Sequence, residues 1–349
     1  MDAVEVRHYT VREIRDWLVH NKPAKGLSNE IIRPAFAWAL IHHPDVTDED
    51  PVVAAIFDNG KLATSTCAFP EVMVKPAFKD SEGNVKRVWW YPMLWCKPEY
   101  RGKGYGLVAI GSLAEVYGMD RAWTVWAVPE SIEIFEFLGC KTYFFPRYFM
   151  SKRNFSNTYK GRLLKFKQEV TNWLENRRKQ ALPHYNYSVR YLNSVDDESY
   201  EFICKNSMEN LFLASQQVLN WELHYPWSVS SPLTDRVPVD GRYFQDTTAL
   251  LQNSFVQVRI DDRIVGVYIM RHSDVGITLD YMYYTKESAD IVYLSVVEHI
   301  LRLRAKSFDT EDGELAKFVQ RYIFFPVSKT EKLSLSISPE IQVPEIIVR

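Results

Sequence analysis

Apolar and polar residues alternate from Val4 to Tyr9, a period of two that predicts a strand. The period then lengthens. Val11 to His20 and Asn29 to His42 carry helical spacing, the second opened by Ser28 or Asn29 and stopped by Pro44. Val52 to Phe57 and Leu62 to Phe69 read as strands joined through Asp58-Asn59-Gly60, a favourable hairpin turn. Val88 to Cys96 is an aromatic, apolar strand that Pro98 ends by removing a ladder donor. Leu107 to Met119 is helical, with Leu107, Ile110, Leu113, Ala114 and Tyr117 at apolar positions. Ala122 to Val128 reads as a strand, Ser131 to Leu138 as a short helix and Lys141 to Phe145 as another strand.

From Thr158 to Leu182 the pattern changes. Tyr159, Leu163, Phe166, Val170, Trp173 and Leu174 recur at three- and four-residue spacings among many basic residues, which predicts an amphipathic helix ending before Pro183. Glu169 and Glu175 interrupt its charge, so it reads as a linking helix with a solvated face. Beyond it, Tyr187 to Leu192 is strand-like and Ser199 to Asn206 helical. A hairpin turns at Asp261-Asp262 between Phe255–Ile260 and Ile264–Met270. Thr278 to Tyr284 is a strand feeding a helix from Ala289 to Ala305. Leu315 to Arg321 is helical, and Tyr322 to Phe325 and Lys332 to Ile337 are strand-like. The second half thus repeats the element order of the first, and Tyr143-Phe144-Phe145-Pro146 rhymes with Ile323-Phe324-Phe325-Pro326.

The 349-residue length exceeds what one core usually supports, and a hydrophobic fraction of 46% excludes a disordered chain. A formal charge of −2 argues against a general nucleic-acid binder. Cys67, Cys96, Cys140 and Cys204 lie far apart without metal-ligand spacing, so they read as reduced core residues and no metal is expected. The first residues do not form a signal peptide and no apolar run reaches membrane length, which predicts a cytoplasmic protein with no membrane partner.

The chemistry concentrates where the aromatic strand meets its helix. The run Pro98-Glu99-Tyr100-Arg101-Gly102-Lys103-Gly104-Tyr105-Gly106 joins them. Its glycines permit a tight turn with outward N–H groups, at a helix N-terminus whose dipole favours an anion, and Arg101 and Lys103 add positive charge. This is a phosphate cradle. It is not a P-loop, because Tyr105 follows Gly104 where a Lys-Ser/Thr pair is needed. A dinucleotide fingerprint starting at Gly102 would need a glycine where Leu107 stands. The remaining pattern, Arg-x-x-Gly-x-Gly over Arg101, Gly104 and Gly106, resembles the pyrophosphate-binding signature of the GNAT superfamily of acyl-CoA N-acyltransferases. The element order over about the first 150 residues fits that family too.

The resemblance implies an α+β fold of two tandem GNAT-like domains, each a mixed, mostly antiparallel central sheet flanked by helices. It sets a GNAT domain with the CoA site at 1–157, the linking helix at 158–183 and a degenerate GNAT-like domain at 184–349. In the second domain the cradle position reads Thr285-Lys286-Glu287-Ser288, without glycine and with an acid that repels phosphate. That half either covers the acceptor groove of the first or stabilises it by burying a sheet edge.

The family's activity implies N-acetyl transfer from acetyl-CoA directly to a primary amine of a small molecule or amino sugar. Non-catalytic acyl-CoA binding or regulation, and peptide or protein N-acylation, are the alternatives. The resemblance implies that Leu94, Trp95, Cys96, Arg101, Gly102, Lys103, Gly104, Tyr105, Gly106 and Phe135 bind the donor, with the Leu94 amide facing the thioester carbonyl. One position departs from the pattern. Phe135 stands where the family's tyrosine protonates the leaving thiolate, which implies either a loss of activity or a different acid, bulk water or a group such as Tyr91, Tyr143 or Glu71. The cluster Trp89, Trp90, Tyr91 and Trp95 divides between two strand faces, one core and one available to stack on an acceptor.

Overall fold

The computed structural model describes residues 4–72, 87–125, 129–152, 169–170, 173, 177–178, 180–207, 214–225, 251–273 and 276–341. Most of the linking helix expected over 158–183 lies outside them.

The first half runs β1 (Val4–Thr10), α1 (Val11–His20), α2 (Pro34–Ile41), β2 (Pro51–Asp58), β3 (Lys61–Val72), β4 (Arg87–Cys96), α3 (Tyr105–Tyr117), β5 (Ala122–Val125), α4 (Pro129–Phe137) and β6 (Lys141–Ser151). The second runs β7 (Ser188–Leu192), α5 (Asp197–Asn206), α6 (Gln216–His224), β8 (Leu251–Ile260), β9 (Arg263–Ser273), β10 (Ile277–Tyr284), α7 (Ala289–Arg302), β11 (Ser307–Thr310), α8 (Gly313–Tyr322) and β12 (Val327–Ile337).

Local chemistry explains most boundaries. Thr10 and Glu13 form a reciprocal capping box that starts α1: Glu13 N donates to Thr10 Oγ1 at 3.3 Å and Thr10 N to Glu13 Oε2 at 2.9 Å. The helix expected from Asn29 begins only at Pro34, whose missing N–H suits the first helical position; Ile31 and Ile32 make turn bonds to Ser28 instead. Both hairpins take left-handed turn pairs, Asn59 (φ 50°) with Gly60 (φ 78°) and Asp261 (φ 46°) with Asp262 (φ 60°). Tyr322 to Phe325 is not a strand: α8 continues through Tyr322, and β12 begins after Pro326.

Two compact units result, and they are not successive in the chain. One comprises 1–144, 209–249 and 333–349; the other comprises 145–208 and 250–332. Their boundaries fall inside β6 and β12, because each strand gives its two ends to different units. Leu335–Ile337 pair with Val125–Trp123 of β5 in the first unit, and Tyr148–Ser151 pair with Thr310–Ser307 of β11 in the second.

In the first unit the strand order is β1-β2-β3-β4-β5-β12, antiparallel except for the β4–β5 pair. One face packs Trp89, Tyr91 and Ala122 against Ile110 and Leu113 of α3 and Phe135 of α4. The other face carries Phe69 and Trp90 and is closed by Phe36 of α2 and Trp221 of α6. Trp221 also donates to Ala39 O at 2.7 Å and meets the His43 ring edge-on at 4.5 Å. The unit therefore takes in a helix from far along the chain.

The second unit is ordered β6-β11-β10-β9-β8-β7, again with one parallel pair, β10–β11. Helices α7 and α8 bury Val292, Val296, Leu315 and Val319 against Val256, Tyr268 and Phe308.

Candidate acyl-CoA site

The site is built where β4 ends. The pairing Cys67↔Met93 followed by Phe69↔Trp90 leaves one extra residue on β4, so Tyr91-Pro92 forms a β-bulge opposite Ala68. Pro92 fits a bulge because it has no N–H to give to a ladder. The bulge reverses the alternation of the strand and ends its pairing with β5, which joins β4 only at Trp89 and Trp90.

Beyond the bulge, Lys97 N donates to Ala63 O at 2.9 Å, and Thr64 Oγ1 and Thr66 Oγ1 donate to Trp95 O and Met93 O. Odd-numbered residues thus turn their backbone groups to β3. By alternation, the amides of Leu94 and Cys96 face the other edge, where no strand pairs beyond Trp90 among the described residues. Arg101 Nε reaches Cys96 O on that side at 3.3 Å. Trp95 turns its backbone to β3, and its ring is buried.

The loop follows. Pro98–Tyr100 is a single 3-10 turn, and Gly102 (φ 78°) and Gly104 (φ 80°) take left-handed conformations that a β-carbon would strain. Gly104 is the N-cap of α3 and, having no side-chain oxygen, makes no side-chain cap bond to the first turn. Gly106 serves a different purpose. A β-carbon there would lie 3.1 Å from Ile134 Cδ1 and 3.4 Å from Leu94 Cδ2, so the helix can start close to β4 and α4 only without one. Tyr105 Oη donates to Asp58 Oδ2 at 2.9 Å and ties the helix start to the β2–β3 hairpin. Lys103 Nζ lies 4.8 Å over the Tyr100 ring. Residues 101–104 are exposed. Two exposed cations thus stand at a helix N-terminus, a setting suited to a diphosphate, and the loop leads back to a strand edge suited to an amide-bearing chain.

The remaining candidates sit differently. Phe135 is 2% exposed, and its ring meets Tyr91 edge-on at 5.7 Å inside the α3-side core. The Tyr91 hydroxyl is buried beside it with no hydrogen-bond partner, and burial pushes its pKa well above the ordinary phenol value. Tyr143 is half-buried on β6. Cys96 is half-buried, its thiol donates to Lys97 O, and burial raises its pKa, the opposite of what a nucleophile needs. Trp89, Trp90, Tyr91 and Trp95 are all buried, so none presents a free ring for stacking.

The second unit repeats the frame without the cradle. Leu279↔Met270 followed by Tyr281↔Ile269 leaves a bulge at Asp280, and β10 meets β11 only at Ile277 and Thr278. A 3-10 turn, Lys286–Ser288, leads to α7 with no left-handed residue, and Asp290 stands in the first helical turn. The Tyr284 and Tyr293 hydroxyls lie 2.7 Å apart, and both donate to Asp312 Oδ2. Carboxylates here oppose a phosphate.

Among the described residues no group of three or more His, Cys, Asp and Glu side chains could hold a metal ion, and no helix is long and apolar enough to cross a membrane. No family model and no curated protein sequence matches the chain. Solved structures do. A GCN5-related N-acetyltransferase from Kribbella flavida superposes with a TM-score of 0.51 at 13% identity, covering 96% of this chain and 71% of that one. Saccharomyces cerevisiae N-myristoyltransferase, in a crystal structure with bound myristoyl-CoA, superposes with a TM-score of 0.50 at 12% identity, covering 96% and 79%. Bulged fourth strand, single parallel pair and flanking helices occur in both halves of the chain: it carries the GCN5-related N-acetyltransferase fold twice.

Proposed function

We propose that the chain is an acyl-CoA-dependent N-acyltransferase whose working site lies in the first unit. The carrying observation is the pair of left-handed glycines, Gly102 and Gly104, at the N-terminus of α3, placed at the end of a strand that has no partner on one edge beyond Trp90 among the described residues. Amides of the first α3 turn, with Arg101 and Lys103, hold the diphosphate. The Cys96 amide holds the pantetheine arm. The Leu94 amide donates to the thioester carbonyl and keeps that bond as the carbonyl becomes an oxyanion, a contribution of about 3 kcal/mol.

The amine nitrogen attacks the carbonyl carbon directly, the C–S bond breaks, and the proton lost by nitrogen leaves to solvent. The Tyr91 hydroxyl is closed off and too weakly acidic to protonate the thiolate, which leaves water or the half-buried Tyr143 as the proton donor. Acetyl-CoA is the donor and a primary amine of a small molecule or amino sugar the acceptor. The test is free-thiol release from acetyl-CoA across a panel of amines and amino sugars. Release that depends on one acceptor class supports the reading.

A second reading, an acyl-CoA-binding module without turnover, is favoured by one observation, the buried Phe135 at the usual acid position. Binding without thiol release under any acceptor would establish it instead.

A further inference from the structure

β1 ends the strand order of the first unit, and its outer edge has no partner strand among the described residues. Exposed edges are normally protected by charged side chains, proline or a bulge. Val4 to Thr10 has no proline, its charged residues Glu5 and Arg7 are of opposite sign, and its register stays regular until Tyr9. Val4 is 48% exposed and Val6 41% exposed. They share a strand face with His8, whose Nε2 lies 3.0 Å from Ser112 Oγ on α3, so this face turns toward that helix. On α3, Val108 and Val116 are 42% and 50% exposed, one turn to either side of Ser112. Positions 108, 112 and 116 form a single stripe, and the nearby Gly111 has open space where a β-carbon would stand. A bare strand edge and an apolar helix stripe therefore form one continuous face.

We propose that this face joins two copies of the chain, with β1 pairing antiparallel to its copy about a two-fold axis at Val6. The charges select both the partner and the register. Centring on Val6 sets Glu5 opposite Arg7 twice, Val6 opposite Val6 and Val4 opposite His8. Centring one residue earlier sets Glu5 against Glu5, and one residue later sets Arg7 against Arg7, each a repulsive pair. A copy of the same strand thus satisfies the edge in one register. Within one chain Glu5 already grips Arg7 at 2.6 Å, and Arg7, 16% exposed, also donates to Lys25 O at 3.1 Å; the Glu5 side chain remains 46% exposed and can accept a second cation. The two-fold axis stands perpendicular to the sheet, so both α3 helices lie on the same face and their valine stripes turn toward each other.

The test is sedimentation velocity of the full chain over a concentration series. The expected result is a reversible dimer. Val6→Lys, which sets two lysines against each other, and separately Val116→Arg should each raise the dimer dissociation constant about tenfold or more. Both sites are exposed, so circular dichroism and thermal unfolding should match wild type apart from any loss of dimer. A wild-type chain that stays monomeric at its highest soluble concentration overturns the proposal. So does a dimer that both substitutions leave unchanged.

Discussion

Gly102 and Gly104 hold φ of 78° and 80° before α3, angles that a residue with a β-carbon adopts only under strain. What the sequence did not reveal is that Gly106 is there for close packing against Ile134 and Leu94. Burial of Phe135 and Tyr91 was equally hidden, since it depends on α3 and α4 closing over β4. It carries a prediction. Tyr91→Phe removes a buried hydroxyl that has no partner, so stability should hold or rise by up to about 1 kcal/mol. Thiol release should stay within about threefold, whereas loss of a general acid costs about 10²–10⁴-fold. A large fall in turnover would make Tyr91 the proton donor. His43 supplies a second prediction. Burial first, and then the Arg87 charge, lower its pKa to about 3. The unfolded imidazole titrates near about 6.5, so between these values the unfolded chain binds the extra proton. Stability should be complete above that range and fall with decreasing pH through it, by up to about 1.4 kcal/mol per pH unit from this group. Urea unfolding at stepped pH should show a shallower slope in His43→Gln; an unchanged slope would place the acid sensitivity elsewhere.

At the scale of elements, the hairpin turns and the first capping box could be read from sequence because each is set by adjacent residues. The bulge in β4 could not be placed, since register is a relation between two strands, although Pro92 inside a strand was its visible trace. Helix α6 was missed for the same reason. Its docking partners, Ala39, His43 and Phe69, are far away in the chain, and nothing local shows that Trp221 belongs to the first unit. Trp221 is 3% exposed, and Trp221→Ala should cost about 3–5 kcal/mol in denaturant unfolding, with Trp221→Phe costing less. A loss below about 1 kcal/mol would mean that α6 only rests on the surface.

For the whole molecule, the duplicated element order was readable because each half repeats the same hydrophobic periods. The division into units was not, because β6 and β12 each cross from one unit to the other. Both halves keep the bulged strand and lead it into a helix without a side-chain cap, but only in the first do left-handed glycines stand before that helix. One titration examines this account most directly, calorimetry of the full chain with acetyl-CoA, on wild type and on Gly104→Val. A β-carbon at Gly104 meets no atom within 4 Å beyond its chain neighbours, so the strain the substitution adds comes chiefly from the φ of 80°. That strain costs about 1–2 kcal/mol and leaves the fold in place. The account predicts one equivalent bound per wild-type chain and no measurable binding to folded Gly104→Val. Two equivalents, no binding to wild type, or unchanged affinity in the variant would contradict it.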